Sequence, residues 1–127
     1  MPTHVLHSVA SAPLEGFAPK PTAITPGQVE VSLALWHGMP GVESGVWEAS
    51  PGTFTATRDG YHEVCYVVAG SVTVTEDGGA PIELAAGDLF VTPAGWRGTW
   101  MVHEALRKVY VTVELPTIVA GTPPEGR

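Results

Sequence analysis

Apolar and polar residues alternate along most of the middle of the chain, with the two-residue period of strands. The stretch "QVEVSLALW" sets Val29, Val31, Leu33 and Leu35 on one face. "GVWEAS" reads as a short strand ended by the turn pair Pro51-Gly52, and "TFTATR" is rich in strand formers. "EVCYVVAG" is apolar after its first residue, the pattern of a strand covered on both faces. "SVTVTEDGGAPIEL" predicts a hairpin turning at Asp77-Gly78-Gly79. "GDLFVTPAG", "TWMVHE" and "LRKVYVTVEL" complete the set. No long stretch keeps a 3.6-residue period, so short strands at regular spacing predict an all-β sandwich or barrel.

Composition agrees with that reading. The chain has 127 residues, the length of one domain, with 44% apolar and 15% charged residues. Its 15 Gly and 12 Pro fit frequent turns. Three parts are expected: an N-terminal arm over residues 1–27, a β-barrel over 28–115 and a C-terminal tail over 116–127. The arm carries Val5, Leu6, Val9, Leu14 and Phe17 without a period of its own and needs a surface to cover. Together with strand edges that a second copy can pair, this predicts a homodimer or larger assembly.

Charge and motif content remove several classes of function. A net charge of −7 and only six Lys and Arg speak against nucleic acid as a partner. One cysteine, Cys65, leaves no disulfide framework and no Cys-based zinc cluster, and it reads as a small buried residue. The first residues lack a basic segment followed by an apolar run, and no apolar run of about 18 residues occurs. No membrane partner is therefore expected, and a cytoplasmic location follows by default.

Two spacings carry a resemblance. The first is Glu63-x6-Gly70; the second is Gly87-x5-Pro93-x-Gly95, followed after two residues by Gly98. With the hairpin between them they resemble the paired signatures of the cupins, G-x5-H-x-H-x3-4-E-x6-G and G-x5-P-x-G-x2-H-x3-N. The phrases "EVCYVVAGSVTVTEDGG", "AGDLFVTPAGWRGTWMV" and "EALRKVYV" are similar to a small-cupin subfamily long described as a domain of unknown function, which includes cupins of the ethanolamine-utilisation and ureidoglycine aminohydrolase types. The resemblance implies a single-domain cupin-type double-stranded β-helix, that is, a jelly-roll barrel.

It also implies where metal ligands would stand. Glu63 takes the ligand glutamate's place. The two upstream histidine places fall on Ala56 or Thr57 and on Arg58 or Asp59; the later histidine and asparagine places fall on Gly98 and Val102. Three of the four usual ligands are thus missing. Strand alternation turns His62 and His103 away from an inward Glu63, while His37 lies beyond a strand end and His4 and His7 lie in the arm. No metal and no other cofactor is expected.

The candidate site centres on Glu63, with Trp100 inward as a stacking wall and indole donor. Thr57, Asp59, Tyr61 and Trp47 are its expected neighbours, with Trp36 as a further contributor and Trp96 at the rim. Arg58 or Arg97 is placed to anchor an anionic substrate or to remain a surface charge. With no cation beside it, a buried Glu63 is expected to have a raised pKa, more so next to Asp59, and to suit acid/base catalysis of an isomerase, lyase or hydrolase type. The expected function is binding of a small polar metabolite in an aromatic-lined, metal-free barrel, with such catalysis by Glu63. The alternatives are a non-catalytic ligand-binding or accessory cupin, and a metal-dependent enzyme similar to the ureidoglycine aminohydrolases with unorthodox ligands.

Overall fold

The computed structural model describes residues 1–116. It contains eight strands: β1 (Ala18–Pro19), β2 (Val29–Gly38), β3 (Val42–Ala49), β4 (Gly52–Thr57), β5 (Tyr61–Glu76), β6 (Ile82–Ala85), β7 (Leu89–Thr92) and β8 (Arg97–Glu114). Every pairing is antiparallel, and the all-β architecture is that of a cupin jelly roll. The part of the expected tail from residue 117 onward lies outside the described residues. Among those described, no helix is long and apolar enough to cross a membrane.

Two long strands organise the molecule. "EVCYVVAG" and "SVTVTE" are one strand, β5, rather than two, and "TWMVHE" and "LRKVYVTVEL" are likewise the single strand β8. The two pair along their whole length, Tyr61 opposite Glu114 at one end and Glu76 opposite Gly98 at the other. Each serves two sheets in turn. The last part of β8 and the first part of β5 lie among β1, β2, β3 and β7. Their other parts lie between β4 and β6. The passage occurs where the β5–β8 register shifts between Val67 and Val72, since bulges bend a strand and let it change sheets. Gly70 sits in this passage with φ 88°, and a Cβ there would meet the Ala105 carbonyl oxygen at 2.1 Å. Only glycine combines that backbone with that approach.

The core fills the space between the sheets. Trp100 is packed by Phe54, Phe90 and Trp47 with ring centroids 5.6, 5.4 and 6.1 Å away. Cys65, Val67, Val72, Val74, Val102 and Leu106 close around them. Tilted aromatic pairs of this kind add about 0.5–1.5 kcal/mol each beyond area burial. Trp96, expected at the rim, is instead buried in this cluster.

The arm lies on its own barrel. β1 pairs with β2, Ala23 bridges to Phe54, and Arg107 donates to the carbonyls of Val9 and Ala12 at 3.0 and 2.7 Å. Arg107 also donates to Glu48 at 2.7 Å, so its buried charge is paired.

One sheet keeps an apolar outer face that the described chain covers only in part: Val31 and Val46 are buried, and the His4 ring lies 6.5 Å from that of Trp36. The strand expected to be covered on both sides has Tyr66 exposed and Val64 half-buried. Register carries the same face across five strands: Leu33, Val46, Val109, Tyr66 and Leu89 form one row. Trp36, Ser44, Val111, Val64 and Val91 form the next. Leu33, Trp36, Tyr66, Leu89 and Val91 are all solvent-exposed. The face expected of "QVEVSLALW" therefore looks outward, and the polar set Glu30 and Ser32 faces the barrel.

Candidate functional site: a buried carboxylate holding two cations

Strand alternation places the site. From Gly98 to Thr112 the even-numbered residues of β8 turn inward, apart from the exposed Glu104, bringing Trp100, Lys108, Tyr110 and Thr112 to one wall. Glu63 and Cys65 of β5, Glu43 and Trp47 of β3, Ser32 of β2 and Thr55 to Arg58 on and after β4 complete it, except that Cys65 lies behind Glu63. The arm contributes Lys20 and Thr22. Together they enclose a cavity of about 380 Å³, near the lower end for small-molecule sites.

Glu63 has company that its sequence neighbours do not reveal. Its Oε1 accepts from Arg58 Nη2 at 2.8 Å, from Lys108 Nζ at 2.8 Å and from Cys65 Sγ at 3.0 Å. All of these groups are buried: Lys108 is 4% exposed, Arg58 7% and Glu63 8%. Arg58 is fixed further by Nε to Thr92 Oγ1 at 3.0 Å and Nη1 to the Thr57 carbonyl at 3.1 Å. Lys108 Nζ lies 4.3 Å from the Trp100 ring centroid and 4.7 Å from that of Trp47, within cation–π range.

This arrangement overturns the expected raised pKa. Desolvation does push the Glu63 carboxyl up, but the charges of Lys108 and Arg58 and the hydrogen bonds to it pull harder, and it lies at about 2. Glu63 is a fixed anion at neutral pH, a poor match for proton transfer there. The Cys65 thiol is pushed up to about 12, by burial first, and stays a protonated donor. Tyr110 donates to Glu43 Oε2 at 2.5 Å, and its burial together with that bond raises its pKa.

The other expected neighbours divide. Trp100, Trp47 and Thr57 line the cavity. Asp59 does not: it pairs with Arg97 at 3.2 Å in solvent, which makes Arg97 a surface charge. Tyr61 also lies outside the wall, its hydroxyl 3.4 Å from the Thr57 carbonyl and its ring centroid 5.8 Å from the Arg58 guanidinium. Trp36 faces outward beside the register shift in β2. His62 points away from Glu63, its Nδ1 accepting from the Ala94 amide at 2.9 Å, and His103 lies on the exposed side against Thr73. Asp88 caps its turn by accepting from the Ala85 amide at 2.8 Å.

Lys108 escaped the sequence reading, as did Lys20, Glu43 and Tyr110. The signal for Lys108 was present, since an inward Trp100 on an unbroken strand sets position 108 inward too. β5 offers no such guide, because its bulges move the inward set from odd positions (Glu63, Cys65, Val67) to even ones (Val72, Val74).

The residues do not fit the metal that the cupin barrel often carries. Among the described residues no three of His, Cys, Asp and Glu converge as ligands. The one carboxylate at the place already accepts from two cationic groups. The later histidine place is Gly98, where a Cβ would meet the Thr75 carbonyl oxygen at 2.1 Å and Trp96 at 2.7 Å.

A jelly roll with this signature spacing and an inward glutamate is a cupin. The chain matches the family model described as the EutQ-like cupin domain over residues 38–110, more than half its length, and belongs to that family. Among solved structures it is similar to the EutQ protein of Clostridium difficile, 26% identical with a TM-score of 0.62 over 72% of this chain and 73% of that one. It is also similar to a putative ethanolamine utilization protein Q from Salmonella typhimurium, 19% identical, TM-score 0.63, over 90% and 94% of the two chains. A predicted oxalate decarboxylase from Thermotoga maritima shares the fold at 16% identity, TM-score 0.59, over 78% and 94%. No curated protein is similar enough in sequence to count as a relative.

Proposed function

We propose that this EutQ-like cupin binds a small polar metabolite in the barrel cavity, with no metal, as a ligand-binding or accessory protein. The observation that carries the reading is Glu63, held by Arg58 and Lys108 where the cupin resemblance implies a metal ligand, on the wall of a cavity with aromatic and polar sides. Acid/base catalysis by Glu63 is left out because its carboxyl lies at about 2. Ser32 offers a test, since it lines the cavity from an exposed position on β2. Ser32→Trp is expected to fill the mouth, keep the melting temperature within a few degrees and abolish binding of metabolites that ligand-observed NMR detects with the wild type. Unchanged binding in Ser32→Trp would place the ligand elsewhere.

The exposed outer face supports a reading of assembly as well. We propose a homodimer in which the outer face around Tyr66, Leu89 and Val91 covers its counterpart on a second copy, supplying the second-side burial that the apolar run of β5 calls for. A two-fold pair through one self-complementary patch is the commonest closed arrangement. Light scattering at tens of micromolar is expected to give twice the chain mass, and Val91→Lys to give the monomer. A monomeric wild type would remove this interface.

A further inference from the structure

The buried ion cluster does not balance. Lys108 and Arg58 share one carboxylate, and both bonds fall on the same oxygen, Oε1 of Glu63. The three groups together carry one excess positive charge in a place more than nine-tenths buried. Burying a charge without a partner is costly. Among the described residues the other charges facing the cavity leave that excess local to the Glu63 end of it. Lys20 is held by Glu30 at 2.9 Å. Glu43 keeps its charge, since the Tyr110 hydroxyl that donates to it at 2.5 Å is neutral, and it holds the exposed His37 at 3.2 Å. Its backbone lies opposite Thr112, four residues along β8 from Lys108, a backbone separation of about 13 Å at strand spacing.

Unused donors lie on two side chains that line the cavity. An ammonium has three N–H groups, and among the described residues Lys108 Nζ makes one hydrogen bond, to Glu63. Trp100 is fully buried, and its Nε1 has no partner among the described residues. A buried N–H without an acceptor is rare, and a bound group is one of the few explanations for it. Excess positive charge, free N–H donors and aromatic walls in one small cavity ask for the same complement.

Resting on the proposed ligand-binding role of the cavity, we propose that its ligand is a small organic monoanion, a carboxylate on a flat or apolar body, bound through Lys108 with Arg58 behind it and Trp100 and Trp47 alongside. A single carboxylate cancels a single excess charge, whereas a phosphate dianion overshoots it and sheds a larger hydration shell. The guanidinium and ammonium already show in Glu63 that they hold a carboxylate here.

Indole 1H–15N resonances of the full chain, titrated with benzoate, benzamide, benzylamine and inorganic phosphate, test this. Benzoate is expected to move the Trp100 and Trp47 signals in a saturable way, at least tenfold more tightly than any of the other probes. Lys108→Met leaves the neutral Arg58–Glu63 pair and is expected to fold; it should lose benzoate binding by at least tenfold and narrow the preference over benzamide. Lys108→Gln, closer in polarity, is the second variant and should show the same loss. Benzamide, benzylamine or phosphate binding as well as benzoate would overturn the monoanion while leaving the cavity a ligand site. Benzoate binding that is equal in the wild type and both Lys108 variants would overturn the role of Lys108. No movement of either indole with any probe would overturn both this inference and the ligand-binding role.

Discussion

Glu63→Gln is expected to be the most damaging conservative change in the barrel, lowering stability by about 3–5 kcal/mol, the range for removing one partner of a buried ion pair. The amide keeps the shape but not the charge, leaving Arg58 and Lys108 facing each other without an anion. For a chain of this size the loss amounts to roughly 10–20 °C in melting temperature. Lys108→Met should cost markedly less, because it leaves a neutral pair. The same asymmetry follows from linkage. The Glu63 carboxyl lies at about 2 against an ordinary value of 4.5. A depressed folded-state pKa adds stability that is complete above about 4.5 and is lost as the pH falls towards 2, about 3 kcal/mol in all. Glu63→Gln should therefore lose most of the wild type's pH dependence between about 5 and 2. Thermal melts of wild type, Glu63→Gln and Lys108→Met across that range decide it. Equal melting temperatures for the two variants would contradict the excess-cation picture.

The second large effect concerns Gly98. Restoring the histidine that the cupin signature places there is expected to unfold or strongly destabilise the protein rather than to create a metal site. The Cβ alone would sit 2.1 Å from the carbonyl oxygen of Thr75 on the neighbouring strand, a backbone atom that cannot rotate aside. Overpacking a core costs about 1–3 kcal/mol when side chains can yield; here strand β5 itself must move. Trp96, 2.7 Å from the same point, and Trp100 on the same wall add to the crowding. Gly98→His is expected to melt at least 10 °C lower and to gain no thermal stability from added zinc. A variant that melts like the wild type, or that zinc stabilises, would show that room for a ligand remains.

The fold was legible because two kinds of signal agreed. Alternation marked the strands, and the spacings around Glu63, Gly70, Gly87 and Gly95 fixed their order. What alternation could not show was that β5 and β8 run on through both sheets, since bulges leave no mark in polarity. The inward direction of Glu63 and Trp100 was legible for the same reason as the strands. The partners of Glu63 were not. Thr57, Asp59 and Tyr61 are close in sequence, yet only Thr57 reaches the cavity; Asp59 turns to Arg97 in solvent. The decisive partner, Lys108, is 45 residues away in sequence and arrives through the β5–β8 register. Without it, burial alone predicts a raised pKa, and the sign of the shift comes out reversed. The apolar run of β5 was correctly read as strand, but its second covered face is absent from the single chain, which is why the proposed partner surface lies there.

The most direct test of the charged cluster is the titration of Glu63 itself. Side-chain carboxyl 13C shifts, assigned by comparison with Glu63→Gln, are to be followed from pH 7 downward. The cluster predicts no titration of the Glu63 carboxyl until the pH falls well below the usual carboxylate range, with a midpoint at about 2. A midpoint at or above 4.5 would mean that Lys108 and Arg58 do not hold it as an anion and would return Glu63 to the role of a buried acid.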